Sequence, residues 1–366
     1  MTHPIAAVSF FIALLAVPSQ AGLNTWTPSL PGARAHAVAI DPTDPAIAFA
    51  ATSIGVFKTT DRGVQWTLVE RFPEALTIAV NPRNPANVVA GHEGLYVHVG
   101  NSTGHIRTSV DGGTTWSEVR LVGYADSVTA LAFDPSKPAT VYAALIGSGV
   151  AKSTDGGKTW TVANAGLLCC AWDFFDTYDV VIAGGESSMV YAASGRALYK
   201  SADHAATWQY APLSPPAGSP NPSGPCCEYF HPWNLAVAPS DPARLYVSGY
   251  LQPRYGPITV TSRDGGLSWQ TLPVLQVEIN RIAVDPRNPT TLYAASSSRD
   301  RIPRRGVLRS IDGGASWIEM NDGLPGLDVA SITLDPSGTL LYASTPDGVF
   351  MYDMRVTGPR RRGVRR

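Results

Sequence analysis

The sequence predicts an all-β fold, and three observations carry that prediction. An eight-residue pattern, Ser/Thr-x-Asp-x-Gly-x-x-Trp, recurs six times along the 366 residues. Between its copies run short, alternating apolar stretches joined by Pro-rich turns. Charged residues are only 16% of the chain, against roughly 25% in ordinary soluble domains, while 34 Gly and 30 Pro supply the many tight turns that short strands need. A composition that is 44% hydrophobic excludes a disordered chain and points to buried sheet.

The repeat has a physical reading as a tight hairpin turn. In Thr59-Thr60-Asp61-Arg62-Gly63-Val64-Gln65-Trp66 the Asp accepts hydrogen bonds from backbone N–H groups, Gly takes the left-handed conformation, and the hydroxyl adds a local bond. Trp then covers the turn, and burying an indole withdraws ~150–250 Å² from water, worth at most ~4–6 kcal/mol. The remaining copies carry Asp111 and Trp116, Asp155 and Trp160, Asp203 and Trp208, Asp264 and Trp269, and Asp312 and Trp317. In the fourth copy Ala205 replaces the glycine, which implies strain of roughly 1 kcal/mol if that position needs a positive φ.

Ser/Thr-x-Asp-x-Gly-x-x-Trp resembles the Asp-box, the bacterial neuraminidase repeat of sialidases, xyloglucanases, sortilin ectodomains and the photosystem II assembly factor. The resemblance implies a propeller in which each box lies on the turn between the two outer strands of a blade, away from the ligand face. It covers all six copies and identifies the repeat class without selecting one family within it.

Before most boxes, two apolar stretches flank a Pro-rich turn, as in Ala37-Val38-Ala39-Ile40, Asp41-Pro42-Thr43-Asp44-Pro45 and Ile47-Ala48-Phe49-Ala50-Ala51. Strand, turn, strand, gap, strand, box, strand makes one blade of four antiparallel strands. The six tryptophans lie 50, 44, 48, 61 and 48 residues apart, close to the ~40–50 residues of such a blade. After the sixth box come three strands without an outer partner, around Ser331, Leu340 and Gly348, while Asn24-Thr25-Trp26-Thr27-Pro28 reads as an outer strand without a blade. Pairing the two ends closes a seven-bladed β-propeller and removes exposed sheet edges. Six blades is the competing count.

Residues 1–21 read as a signal peptide. An apolar run from Ile5 to Val17 is followed by Pro18 and then Ser19-Gln20-Ala21, with cleavage expected after Ala21. The run is too short for a helix to cross a ~30 Å hydrocarbon core, so no stable membrane insertion is expected after cleavage, and the mature chain is assigned to a secreted or periplasmic compartment. Residues 22–356 form one propeller domain in this reading, and 357–366 a disordered basic tail. Five arginines lie in the last nine residues, and without them the formal charge falls from −1 to −6. That acidic body excludes the clustered basic surface on which nucleic-acid binding depends.

In an exported chain the pairs Cys169-Cys170 and Cys226-Cys227 are read as disulfides, since adjacent cysteines turn poorly toward one metal ion. Bridges between the pairs would each close about 57 residues, worth ~4 kcal/mol; a vicinal disulfide within each pair is the alternative. No nucleophile elbow, metalloprotease, phosphate-loop or EF-hand pattern is present, so no metal and no cofactor is expected.

With the boxes on one face, a ligand is expected on the other, formed by the blade-connecting loops and the middle hairpins. Two adjacent long loops, Leu167 to Asp179 and Pro212 to Trp233, place Trp172, Tyr178, Tyr229, His231 and Trp233 there. Asp173, Asp176, Asp179 and Glu228 stand among them as weak catalytic candidates, with Arg254, Tyr255 and Arg301 nearby and His92 and Glu93 from blade two. Aromatics beside carboxylates suit sugars, through ring stacking and hydrogen bonds to hydroxyls, although the same residues also serve simply to cap a barrel end. Arg301-Ile302-Pro303 matches a sialidase signature, but in that family it precedes the first box, whereas here it lies between the fifth and sixth, so its role is not carried over. Xyloglucanases resembling this repeat enclose their cleft between two propellers, and this chain has length for one. The resulting expectation is an exported, monomeric, non-catalytic module binding a glycan or protein, with a glycoside hydrolase as the alternative.

Overall fold

A computed structural model describes residues 25–94, 105–121, 127–167, 176–184, 188–195, 197–213, 230–251, 256–273, 277–297 and 303–355. Among these residues there is no helix. The strands form seven four-stranded antiparallel sheets, six of them in simple chain order. The first strands of the blades, Ala35–Ile40, Ala75–Val80, Ser127–Phe133, Thr177–Ala183, Phe230–Ala238, Glu278–Asp285 and Ser331–Leu334, contact one another in a closed cycle, which makes the molecule a seven-bladed β-propeller.

The seventh blade closes the ring as the sequence predicts. Thr27–Pro31 pairs antiparallel with Gly348–Asp353, with Thr27 opposite Met351 and Leu30 opposite Val349. Trp26 occupies the place that the repeat tryptophans hold in the other blades, one residue before the outer strand. It is 2% exposed, its Nε1 donates to Met320 O at 2.5 Å and its N to Asp322 O at 2.8 Å. Trp26 is therefore a seventh tryptophan, which in the sequence is not preceded by the repeat pattern. Gly323, at φ +89, lets the blade-six exit approach it, because a Cβ there would stand 2.2 Å from Trp26 O.

The apolar core is not one mass at the centre. Seven clusters of buried residues each span one junction between neighbouring blades. The second strands carry five of the large, fully buried rings, Phe49, Tyr142, Tyr246, Tyr293 and Tyr342, each at most 2% exposed. Three of the repeat turns pack on the second strand of the preceding blade: a Cβ on Gly63 would meet Tyr342, on Gly113 Phe49, and on Gly157 Val89. These turn glycines are thus fixed twice over, by their positive φ and by the side chain beneath them.

The turns have the hydrogen bonds expected of them, with one addition. Ser109 Oγ donates to Asp111 Oδ1 at 2.8 Å and accepts from Gly113 N at 2.8 Å, and Asp111 Oδ1 accepts from the N–H groups of Thr114 and Thr115. The addition is the hydroxyl just before the tryptophan. Thr115, Thr159 and Thr207 donate to the second carboxylate oxygen at 2.6, 2.6 and 2.5 Å, Ser316 does so at 2.5 Å, and Ser268 makes the same bond. In the first copy Gln65 stands there, and only its backbone N–H reaches Asp61.

Tryptophan burial is less complete than the sequence reading implies. Trp208 and Trp269 are buried, but Trp66, Trp116, Trp160 and Trp317 are partly exposed. They lie at the propeller's rim, where three donate Nε1 to the carbonyl of their own turn glycine: Trp116, Trp160 and Trp317. In the fourth turn both His204 and Ala205 adopt positive φ, 58° and 62°.

Candidate functional site

The inner strands of the first six blades each carry a β-bulge near their start, the end that meets the blade-connecting loops. The extra residues are His36, Leu76, Thr129, Tyr178, Trp233 and Asn280. A bulge re-aims a side chain, and here it turns three of them sideways into the next blade. Thr129 donates to Thr177 O at 2.9 Å, Trp233 Nε1 to Ile279 O at 2.7 Å, and Asn280 Nδ2 to Val329 O at 3.2 Å. These bonds tie successive blades together near the starts of their inner strands.

Asp179 is the centre of a second tie, across blades four, five and six. Its Oδ2 accepts from Leu235 N at 2.8 Å, Asn234 Nδ2 at 3.1 Å and Arg281 Nη1 at 2.9 Å, and its Oδ1 from Val180 N at 3.0 Å. Asn234 Oδ1 in turn accepts from Ile282 N at 3.0 Å. The Asp179 carboxylate is nearly fully buried, while Arg281 keeps about a third of its side chain in contact with water. Asp176 also holds backbone: its Oδ1 accepts from Gly147 N at 2.8 Å, and its carbonyl accepts from Gly195 N at 2.7 Å.

Of the other residues singled out from the sequence, Tyr178 lies on the blade-four bulge and His231 near the start of the blade-five inner strand, opposite Tyr250. Trp172, Asp173, Glu228, Tyr229, Arg254, Tyr255 and Arg301 lie outside the described residues, as do Cys169, Cys170, Cys226, Cys227, the 1–21 segment and the basic tail. The described part of this face thus carries Asp176, Tyr178, Asp179, His231 and Trp233 on two consecutive blades, four and five.

A second group, at blades one and two, gathers His36, Glu74, His92 and Glu93. Glu74 lies on the loop joining these blades, with its N–H donating to Ser53 O at 3.2 Å and its carbonyl accepting from Glu93 N at 2.8 Å. His92 packs its ring 5.3 Å from Phe72 and 6.0 Å from His105. Burial first, then the charge of Arg34, lowers the pKa of His36; burial and then His105 lower that of His92. Both rings are therefore neutral near pH 7. Only His92 and Glu93 of this group were legible as face residues; His36 and Glu74 give no signal in the sequence, because a bulge and a blade-connecting loop bring them there.

At the opposite face the repeat aspartates are exposed. Hydrogen bonds from Thr115, from its hydroxyl and its N–H, hold Asp111 down to about 2, and those from Ser316 hold Asp312 down to about 2. Thr207 and Ser268 depress Asp203 and Asp264 in the same way. These carboxylates are committed to their own turns.

The architecture defines a class, the seven-bladed propeller with repeat turns on one face and loops on the other. Solved structures share its fold. The GH74 xyloglucanase from Xanthomonas campestris superimposes with a TM-score of 0.69 at 19% identity, over 90% of this chain and 54% of that one. YCF48 bound to a D1 peptide matches with a TM-score of 0.60 at 15% identity, over 91% of this chain and 97% of that one. The extracellular domain of the hybrid two component system BT4673 from B. thetaiotaomicron gives 0.62 at 9% identity, over 89% and 39%. The chain spans about half the length of the xyloglucanase, and at these identities the likeness carries the fold alone. No family model matches the sequence, and no curated protein does. Among the described residues no helix is long and apolar enough to cross a membrane.

Proposed function

We propose that this chain is an exported, non-catalytic Asp-box propeller that binds a glycan or a protein segment through its loop-rich face. The observation that carries this reading is the employment of the described carboxylates. Glycoside hydrolysis needs two carboxyl groups about 5 to 9.5 Å apart with at least one free to exchange a proton, and Asp179 instead accepts four hydrogen bonds in a buried tie while Asp176 anchors a neighbouring loop. A polar rim with Tyr178, His231 and Trp233 suits recognition, where aromatic rings supply contact area at low entropic cost. The likeness to YCF48, whose structure holds a D1 peptide and which this chain matches over 97% of its length, supports a peptide as one kind of ligand.

The likeness to a xyloglucanase favours a second reading, a glycoside hydrolase. The two separate in one experiment. The protein is screened for turnover of sialosides, xyloglucan and aryl glycosides, and for binding to the same glycans. Binding without turnover is the expected result. Turnover that disappears in Asp176→Asn would establish the hydrolase.

A further inference from the structure

The bulge at blade one lacks the side-chain bond that three of the other bulges make. Where Thr129, Trp233 and Asn280 each donate to the next blade, the Nε2 of His36 is buried and has no hydrogen-bond partner. Its side chain is only 10% exposed. A buried ring nitrogen left in this way costs about 1–3 kcal/mol unless something else meets it.

What faces it is a pair of carboxylates. Glu74 Oε2 stands 3.7 Å from Nε2, too far for a hydrogen bond, and one oxygen of Glu93 completes a set in which all three atoms lie within 4.8 Å of one another. Two ligand atoms bound to one ion at about 2.0–2.1 Å, at the tetrahedral angle, stand roughly 3.3 Å apart. Backbone bonds hold both acids in place, from Glu74 N to Ser53 O and from Glu93 N to Glu74 O. The donors come from three places: an inner-strand bulge, a blade-connecting loop and the end of the second strand of blade two.

We propose that His36, Glu74 and Glu93 bind one divalent transition-metal ion of the Zn²⁺ class. One imidazole nitrogen with two carboxylates matches the donor preference of such ions, whereas Ca²⁺ takes oxygen ligands only. Three protein ligands leave a fourth position, on the side of the exposed glutamates, for water or for a donor atom of a bound ligand. The ion gives His36 the kind of partner that Thr129, Trp233 and Asn280 find in the next blade, and it pins blade one to blade two. This goes beyond the binding role above and stands whether the face recognises a glycan or a peptide.

The test is isothermal titration of the full, chelator-treated and dialysed protein with Zn²⁺, with Ca²⁺ as the comparison ion. The wild type is expected to take up one equivalent of Zn²⁺ that Glu93→Gln and Glu74→Gln each weaken at least tenfold, with Ca²⁺ bound more weakly. Both glutamates are exposed, so these variants keep the fold, which circular dichroism checks; His36→Ala serves as the third arm. No uptake by the wild type, or uptake of equal affinity and stoichiometry in all three variants, as Zn²⁺ held by the cysteines would give, overturns the proposal.

Discussion

Replacing Asp179 by alanine should cost the protein about 3–5 kcal/mol, the range for removing one partner of a buried ion pair. The structure shows where that cost arises. The substitution leaves Leu235 N buried without its acceptor, at about 1–3 kcal/mol, and Asn234 Nδ2 with only its long bond to Leu235 O at 3.4 Å. Arg281 contributes less, because its exposed third recovers water. Asp179→Asn keeps one acceptor oxygen for Leu235 N and loses the charge-assisted bond to Arg281, so about 2–3 kcal/mol is expected. Arg281→Ala alone should cost about 1–2 kcal/mol, and the Asp179→Ala/Arg281→Ala pair should fall short of additivity by 1 kcal/mol or more. The assay is equilibrium unfolding in urea followed by tryptophan fluorescence. If Asp179→Ala lies within about 0.5 kcal/mol of the wild type, or if the pair is additive, the three-blade tie is not what holds this carboxylate, and a catalytic role for it reopens.

Two further predictions concern the repeat turns. Ala205→Gly should be close to neutral, within about 1 kcal/mol, because relief of the left-handed strain at φ 62 (~1–2 kcal/mol) is offset by a lost buried methyl (~0.8) and by glycine's greater unfolded-state entropy (~0.5–1). Gly157→Ala, by contrast, acquires that strain and sets a Cβ 2.9 Å from Val89 Cγ2, so a loss of about 1–3 kcal/mol is expected; equal effects at the two positions would refute the reading. Asp111 and Asp312 titrate near 2 in the folded protein against 3.8 ordinarily, so the stability they add is complete above about pH 4 and is lost as pH falls through 2. Unfolding midpoints measured from pH 6 to pH 2 should drop in that window, and the drop should shrink in Asp111→Asn.

The blade count and the closure were legible because they rest on local chemistry. A turn needing two successive positive-φ residues selects Gly, and repeated selection leaves a countable mark. Trp26 could be read as an outer-strand residue for the same reason, since it precedes Thr27 as Trp66 precedes Thr67. The hydroxyl before the tryptophan was also present in the sequence, at Thr115, Thr159, Thr207, Ser268 and Ser316, but its bond to the aspartate appears only once the turn is folded. The motif Asn-x-Gly-Leu at Asn164 and Asn321 is another such mark: each Asn accepts from a third-strand N–H, of Val150 or Val307, at 2.8 Å.

The site was less legible, since it depends on residues far apart in the chain. Asp179, Asn234 and Arg281 meet only because three blades stand side by side, and composition around Asp179 gives the same acidic, aromatic surroundings whether the carboxylate is free or locked. Bulges are equally silent. His36 sits in an ordinary alternating strand, and only the extra residue opposite Thr52 and Ala51 turns it toward Glu74.

Closure of the ring by the N-terminal segment underlies every placement above, and a paired-cysteine measurement addresses it most directly. In Thr27→Cys/Met351→Cys the two positions are directly opposite in the antiparallel pair, within the Cα separation a disulfide accepts. Under mild oxidation peptide mapping should find a 27–351 bridge in nearly all molecules, and none in Thr27→Cys/Phe350→Cys, whose side chains point to opposite faces. Free thiols at both 27 and 351 in the folded protein, or a bridge favouring 350, would contradict the closed seven-bladed ring.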